Sequence, residues 1–113
     1  MRHIGTLLTV TLVGALTMCP GPVLAADPEV ALVIEKNRFQ PAEVKVKAGA
    51  AFVLVITNKD SAAEEFESKD LKIEKVVPAG KTIRIRVPAL KTGAYRFVGD
   101  YHEQTAKGRI VAE

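Results

Sequence analysis

Two stretches of strict alternation constrain this chain most. Val44 and Val46 alternate with Glu43, Lys45 and Lys47, and Ile83, Ile85 and Val87 alternate with Thr82, Arg84 and Arg86. Period-two patterning places apolar side chains on one face of a strand and charged ones on the other. It predicts a half-buried antiparallel sheet. Phe52-Val53-Leu54-Val55-Ile56 is apolar on both faces and suits a central strand. Val30 to Ile34, Leu71 to Val77, Ala94 to Val98 and Gly108 to Ala112 bring the expected number of strands to about seven. Turn residues separate them at Asn37, Ala48-Gly49, Asn58-Lys59-Asp60, Pro78-Ala79-Gly80 and Lys91-Thr92-Gly93. No helical pattern lies between, so the expected fold class is all-β, a small sandwich. Only Lys59 to Lys69 reads as irregular, a short helix or a long loop.

The N-terminus has a different character. Arg2 and His3 precede an uncharged apolar run from Ile4 to Met18, followed by Cys19-Pro20-Gly21-Pro22 and Val23-Leu24-Ala25-Ala26. A basic start, an apolar run and small residues before a cut read as an export signal. The expected cut follows Ala25, with Ala26 as the alternative. A membrane anchor would need a run of about 20 apolar residues, and Pro20 and Pro22 interrupt this one. Attachment of lipid at Cys19 is disfavoured by Leu16-Thr17-Met18, which lack the small residues such sites carry. The expected division is therefore residues 1–25 as signal peptide and 26–113 as one domain, located in the periplasm.

Removing the signal sharpens the chemistry. The 113-residue chain has one cysteine and two histidines. Residues 26–113 keep no cysteine and only His102. No disulfide can form there, although small secreted domains usually lean on disulfides or metals. The net charge of +3 is a weak argument for nucleic acid. No phosphate-binding loop, dinucleotide glycine fingerprint or nucleophile–histidine motif is present.

Four fragments in order resemble the cupredoxins. They are F-x-P-x-x-V-x-V-x-A-G at Phe39 to Gly49, F-V-L-V-I-T-N at Phe52 to Asn58, V-P-A-G-K-T at Val77 to Thr82, and L-K-T-G-A-Y-R-F at Leu90 to Phe97. The resemblance covers almost all of residues 26–113 and implies a cupredoxin-like Greek-key β-sandwich. Thr92 departs from it, standing where the family often has proline. The resemblance also implies copper ligands: a histidine after the asparagine-ended strand, then a cysteine, a histidine and a methionine around the last turn. Glu64 stands at the first position, Gly99 at the second, His102 at the third and Lys107 near the fourth. Only His102 matches. A blue copper centre needs a thiolate with two imidazoles, so a type 1 blue copper centre is not expected.

Acids stand in place of the lost ligands. Asp60, Glu64, Glu65, Glu67 and Asp70 cluster in one loop, and Asp100 and Glu103 flank His102 in the other. On a cupredoxin fold these loops meet at one end of the sandwich. The expected metal ligands are Glu64, Glu67, Asp100, His102 and Glu103, with Glu65 pointing away. Imidazole with carboxylates suits iron, manganese, zinc or copper(II) rather than copper(I). The expected cofactor is accordingly a metal ion, iron or copper(II).

This variant is similar to cupredoxin-like proteins of bacterial periplasmic ferrous iron uptake systems. That resemblance implies partners, namely an oxidase-dependent iron permease and a second periplasmic metal-binding protein. It implies a role in binding ferrous iron or assisting its oxidation. Two alternatives stand beside it: a metal-free sandwich that docks a membrane or periplasmic partner, and a ferroxidase acting alone. A basic strip of Arg84, Arg86, Arg96 and Arg109 is the surface considered for docking, against the plainer reading of ordinary outward strand positions. Charge clusters are also commonly just solvated faces.

Overall fold

The structure, a computed structural model, describes residues 3, 5, 9–19, 21 and 26–113. The expected cleavage point, with Val23 to Ala25 before it, and the basic Arg2 lie outside the described residues. Residues 9–19 and 21 carry no helix or strand. Among the described residues, no helix is long and apolar enough to cross a membrane.

Nine strands follow: β1 (Glu29–Glu35), β2 (Arg38–Gln40), β3 (Glu43–Val46), β4 (Phe52–Asn58), β5 (Glu64–Ser68), β6 (Ile73–Val77), β7 (Thr82–Val87), β8 (Gly93–Gly99) and β9 (Lys107–Ala112). A 3-10 turn, Asp100–His102, joins β8 to the loop before β9. The strands form two sheets, in the orders β2-β1-β4-β7 and β3-β9-β8-β5-β6. Sandwich and all-β class agree with expectation. The purely antiparallel sheet does not, because β1 pairs with β4 in parallel and β3 with β9 in parallel. Strand alternation reports faces and burial, not pairing direction, so it could not have distinguished these.

The inner faces build one core. Leu32, Ile34, Leu54 and Ile56 from the first sheet meet Val44, Phe66, Val77, Phe97 and Ile110 from the second, all almost fully buried. Phe39 stacks edge-on against Phe66 and Phe97, with ring centroids 6.1 and 4.9 Å away. Edge-to-face pairs of this kind contribute about 0.5–1.5 kcal/mol beyond area burial. With no disulfide among residues 26–113, this core carries the fold.

The segment expected to be irregular contains β5. Its burial alternates: Glu64, Phe66 and Ser68 are buried, and Glu65 and Glu67 are half-buried. Two of the three inward residues are polar, which disguises the period. Ser68 is accommodated because its hydroxyl donates to the carbonyl of Arg96 at 2.7 Å and accepts from the Leu71 amide at 3.2 Å.

The loop before β5 is tied down from both sides. Buried Asn58 donates through Nδ2 to the carbonyls of Ala62 (2.9 Å) and Val77 (3.0 Å), and its Oδ1 accepts from the Asp60 amide at 2.9 Å. Asp60 in turn accepts from the amides of Lys36 (2.8 Å) and Asn37 (2.9 Å). Those two residues have φ of 54° and 55°, the left-handed pair that a two-residue hairpin loop requires. The chain between β4 and β5 is thereby locked to the β1–β2 hairpin, which fixes where β5 begins.

Candidate functional site

The two loops expected to meet do meet, and β5 sorts its acids by parity. Glu64 points inward and is 1% exposed. Its Oε1 accepts from the backbone amides of Glu65 and Tyr101, each at 2.9 Å. Its Oε2 lies 2.6 Å from Nδ1 of His102. A carboxylate so deep needs partners, and here both oxygens have them.

Gly99 makes room for that carboxyl group. A Cβ at position 99 would lie 2.5 Å from the Glu64 Cδ and 2.7 Å from its Oε2. Gly99 is extended, with φ of −90°, so close approach and not backbone freedom demands glycine here. The same crowding recurs at Gly108, where the Phe97 ring lies 2.4 Å from a notional Cβ.

The turn carrying Asp100 and His102 is closed by its own backbone. The His102 carbonyl accepts from the amides of Thr105 (3.1 Å) and Ala106 (2.8 Å), and the Gly99 amide donates to the Ala106 carbonyl at 2.9 Å. His102 is partly exposed and borders an open groove of about 520 Å³ with Asn37, Asp100, Tyr101 and Glu103.

The outward residues of β5 form a second arrangement. Carboxylate oxygens of Glu65, Glu67 and Asp100 all lie within 4.8 Å of one another. Glu67 stands directly opposite Glu74 of β6. Like charges across a strand pair are unfavourable, and the carboxyl groups respond. Glu65 is held above its ordinary value, first by its hydrogen bond with Glu74, then by lost hydration. Glu67 is raised first by its hydrogen bond with Asp100, then by lost hydration and the Asp100 charge. Tyr101, 51% exposed, is raised by lost hydration and by the neighbouring Glu65.

The five expected ligand residues are therefore divided. Glu67 and Asp100 come together on the outer face. Buried Glu64 and partly exposed His102 are bonded to each other. Glu103 is exposed and borders the groove beside His102 and a second groove toward Lys107. Glu65 does not point away from the acids but joins Glu67 and Asp100, because one strand puts residues two apart on the same face. Glu74 completes the acidic face; reading β5 as a strand paired with β6 would have found it.

The basic strip is split between sheets. Arg84 and Arg86 lie on β7 and pair with Glu29 and Asp27. Arg109 lies on β9 and pairs with Glu43 at 2.7 Å. Arg96 lies on β8, opposite Arg109. No single row joins the four.

Comparison with known proteins agrees with the architecture. Residues 8–112 match the family described as "Cupredoxin-like domain". An uncharacterized protein of Rickettsia prowazekii (strain Madrid E) is 41% identical over 83 residues, 74% of this chain; the chain spans 66% of that protein's length. Auracyanin A, a "blue" copper protein from Chloroflexus aurantiacus, superimposes with a TM-score of 0.67 at 12% identity, covering 78% of this chain and all of its own. The metal-binding domain of the Streptococcus pneumoniae D39 Cu(I)-exporting P-type ATPase, solved with Cu(I), gives 0.64 at 16% identity, over 75% of this chain and 84% of its own.

The donor set does not fit a copper–thiolate centre. Residues 26–113 provide no thiolate and a single imidazole, and the Glu64 carboxyl group fills the space a side chain at position 99 would need. The two-sheet topology and the match over residues 8–112 place the chain in the cupredoxin-like domain family.

Proposed function

We propose that this protein is a periplasmic metal-binding component of a ferrous iron uptake system, binding Fe(II) or assisting its oxidation beside an oxidase-dependent iron permease and a second metal-binding protein. The observation that carries it is the convergence of Glu65, Glu67 and Asp100, with oxygens within 4.8 Å. Three carboxylates held together suit a hard cation, which neutralises their mutual repulsion and leaves coordination positions for water. Carboxylate oxygen also favours ferric over ferrous iron, which would lower the cost of oxidising the bound ion. Copper(II) is the competing cargo. In this reading Glu67 and Asp100 are ligands, Glu65 joins them, and Glu103 stands at the approach.

Anaerobic calorimetric titration of the protein with Fe(II) tests the reading. One equivalent should bind, and Glu67→Ala and Asp100→Ala should each weaken it at least tenfold. Absence of binding, or indifference to both substitutions, would remove it.

A second reading is a metal-free module that docks a membrane or periplasmic partner. The Glu64–His102 hydrogen bond favours it, because it closes this end of the sandwich without an ion. A melting temperature that added metal does not raise would select it.

A further inference from the structure

The outer face of the five-stranded sheet is polarised. Register puts Lys107, Val98, Glu67 and Glu74 in one row across β9, β8, β5 and β6. The row runs from an exposed cation, through a half-buried valine, to two carboxylates. One row along, Arg109 stands directly opposite Arg96. In the other direction, Glu65 and Asp100 gather beside Glu67. One corner of the face is thus basic, with Arg96, Lys107 and Arg109. The diagonal corner is acidic, with Glu65, Glu67, Glu74 and Asp100.

Each corner works against itself. Like charges directly opposite on neighbouring strands are unfavourable, and that is the relation of Arg96 to Arg109 and of Glu67 to Glu74. Arg109 is relieved by its ion pair with Glu43 at 2.7 Å. Among the described residues, Arg96 and Lys107 have no ion pair. Open grooves of about 520 and 540 Å³ both have Arg96, Val98 and Lys107 as walls, so this corner stands open to solvent.

We infer that this face docks a second copy of the same chain, face to face about a two-fold axis, so that each basic corner lies over the other copy's acidic corner. A two-fold interface sets residue i against j and j against i. A face polarised along one diagonal is therefore complementary to itself when the axis crosses that diagonal. A second copy carries the matching charges at the matching spacing. Val98, between the two corners, falls near the axis. The inference stands apart from the cation reading, because it uses the carboxylates only as charges. Size limits its strength. Five strands about 4.8 Å apart, of 4–7 residues each, give a face of roughly 20 by 20 Å. That is about 400 Å² on each copy, half of the ~800 Å² of a standard interface. The dimer should be weak and, being held by exposed charges, sensitive to salt.

Sedimentation velocity of the full chain over a range of protein concentrations tests it. At about 0.01 M ionic strength, where the screening length is ~30 Å, a concentration-dependent dimer should form; at about 1 M, where it is ~3 Å, the dimer should dissociate. Arg96→Glu/Lys107→Glu makes both corners acidic, and Glu65→Lys/Glu67→Lys makes both basic. Each variant alone should stay monomeric at low salt, and an equimolar mixture of the two should restore a dimer. Arg96→Glu gives Arg109 an opposite charge across the strands and Glu67→Lys does the same for Glu74, so both variants should fold. Arg38→Glu/Lys81→Glu makes the same charge change on β2 and just before β7, at the other sheet, and should leave the dimer intact. A wild type that stays monomeric at low salt overturns the inference and leaves the basic corner to a foreign acidic partner. A dimer indifferent to salt, or one that survives Arg96→Glu/Lys107→Glu, also overturns it. So does a mixture of the two reversed variants that stays monomeric. Loss of the dimer in Arg38→Glu/Lys81→Glu would show an effect of net charge alone and overturn the face. Where a reversed variant does not fold, the salt series on the wild type decides.

Discussion

Oε2 of Glu64 and Nδ1 of His102 lie 2.6 Å apart across 38 residues of sequence, joining the start of β5 to the turn that ends β8. Glu64→Ala removes this acceptor and also the one serving the Tyr101 amide. Losing a buried acceptor strands its donors, so the substitution should cost about 1–3 kcal/mol in urea unfolding. A change within the scatter of ordinary surface substitutions would show that the contact does not hold the turn.

Gly99→Ala should be as damaging as its small size is misleading. The new methyl group would stand 2.5 Å from the Glu64 Cδ, inside contact distance. Overpacking of this kind costs about 1–3 kcal/mol. In a double-mutant cycle, Glu64→Ala should relieve part of the Gly99→Ala penalty, because it removes the atoms the methyl meets. Strict additivity would contradict the packing described.

The strands that alternate apolar with charged side chains, β3 and β7, were legible because burial follows hydrophobicity there. β5 was not, since its inward positions are Glu64, Phe66 and Ser68, and the polar pair is satisfied by partners far along the chain. The β2 strand of three residues is too short to show a period. The acids near the turn were visible as a cluster, but their division was not. Parity along an unrecognised strand sends Glu64 to the interior and Glu65 and Glu67 to the surface. Glu74 reaches the same face only through pairing of β5 with β6.

Asn58 is a buried amide with both ends engaged. Asn58→Ala would strand the Val77 and Ala62 carbonyls and free the loop that Asp60 locks to the β1–β2 hairpin. The expected loss is about 2–4 kcal/mol. Hydrogen exchange should show Lys36 and Asn37 amides opening faster, since their acceptor Asp60 loses its anchor. Unchanged protection of those amides would dissociate the loop from the hairpin.

The acidic face should make stability fall with rising pH. Glu67 is raised above its ordinary 4.5, so the folded state binds its proton more tightly than the unfolded state. The stabilising contribution is complete below 4.5 and is lost as pH rises through the raised value. Glu67→Gln cannot ionise, so it should raise the melting temperature at neutral pH and give no gain below 4.5. An equal effect at both pH values would show that Glu67 is not crowded by Asp100.

Whether Glu65, Glu67 and Asp100 hold a cation is decided by anaerobic thermal unfolding with and without Fe(II). A ligand bound only by the folded state stabilises by about 2.7 kcal/mol at one hundred times its dissociation constant. The melting temperature should climb with Fe(II) in the wild type and stay flat in Asp100→Ala. A wild-type melting temperature indifferent to Fe(II) would contradict it.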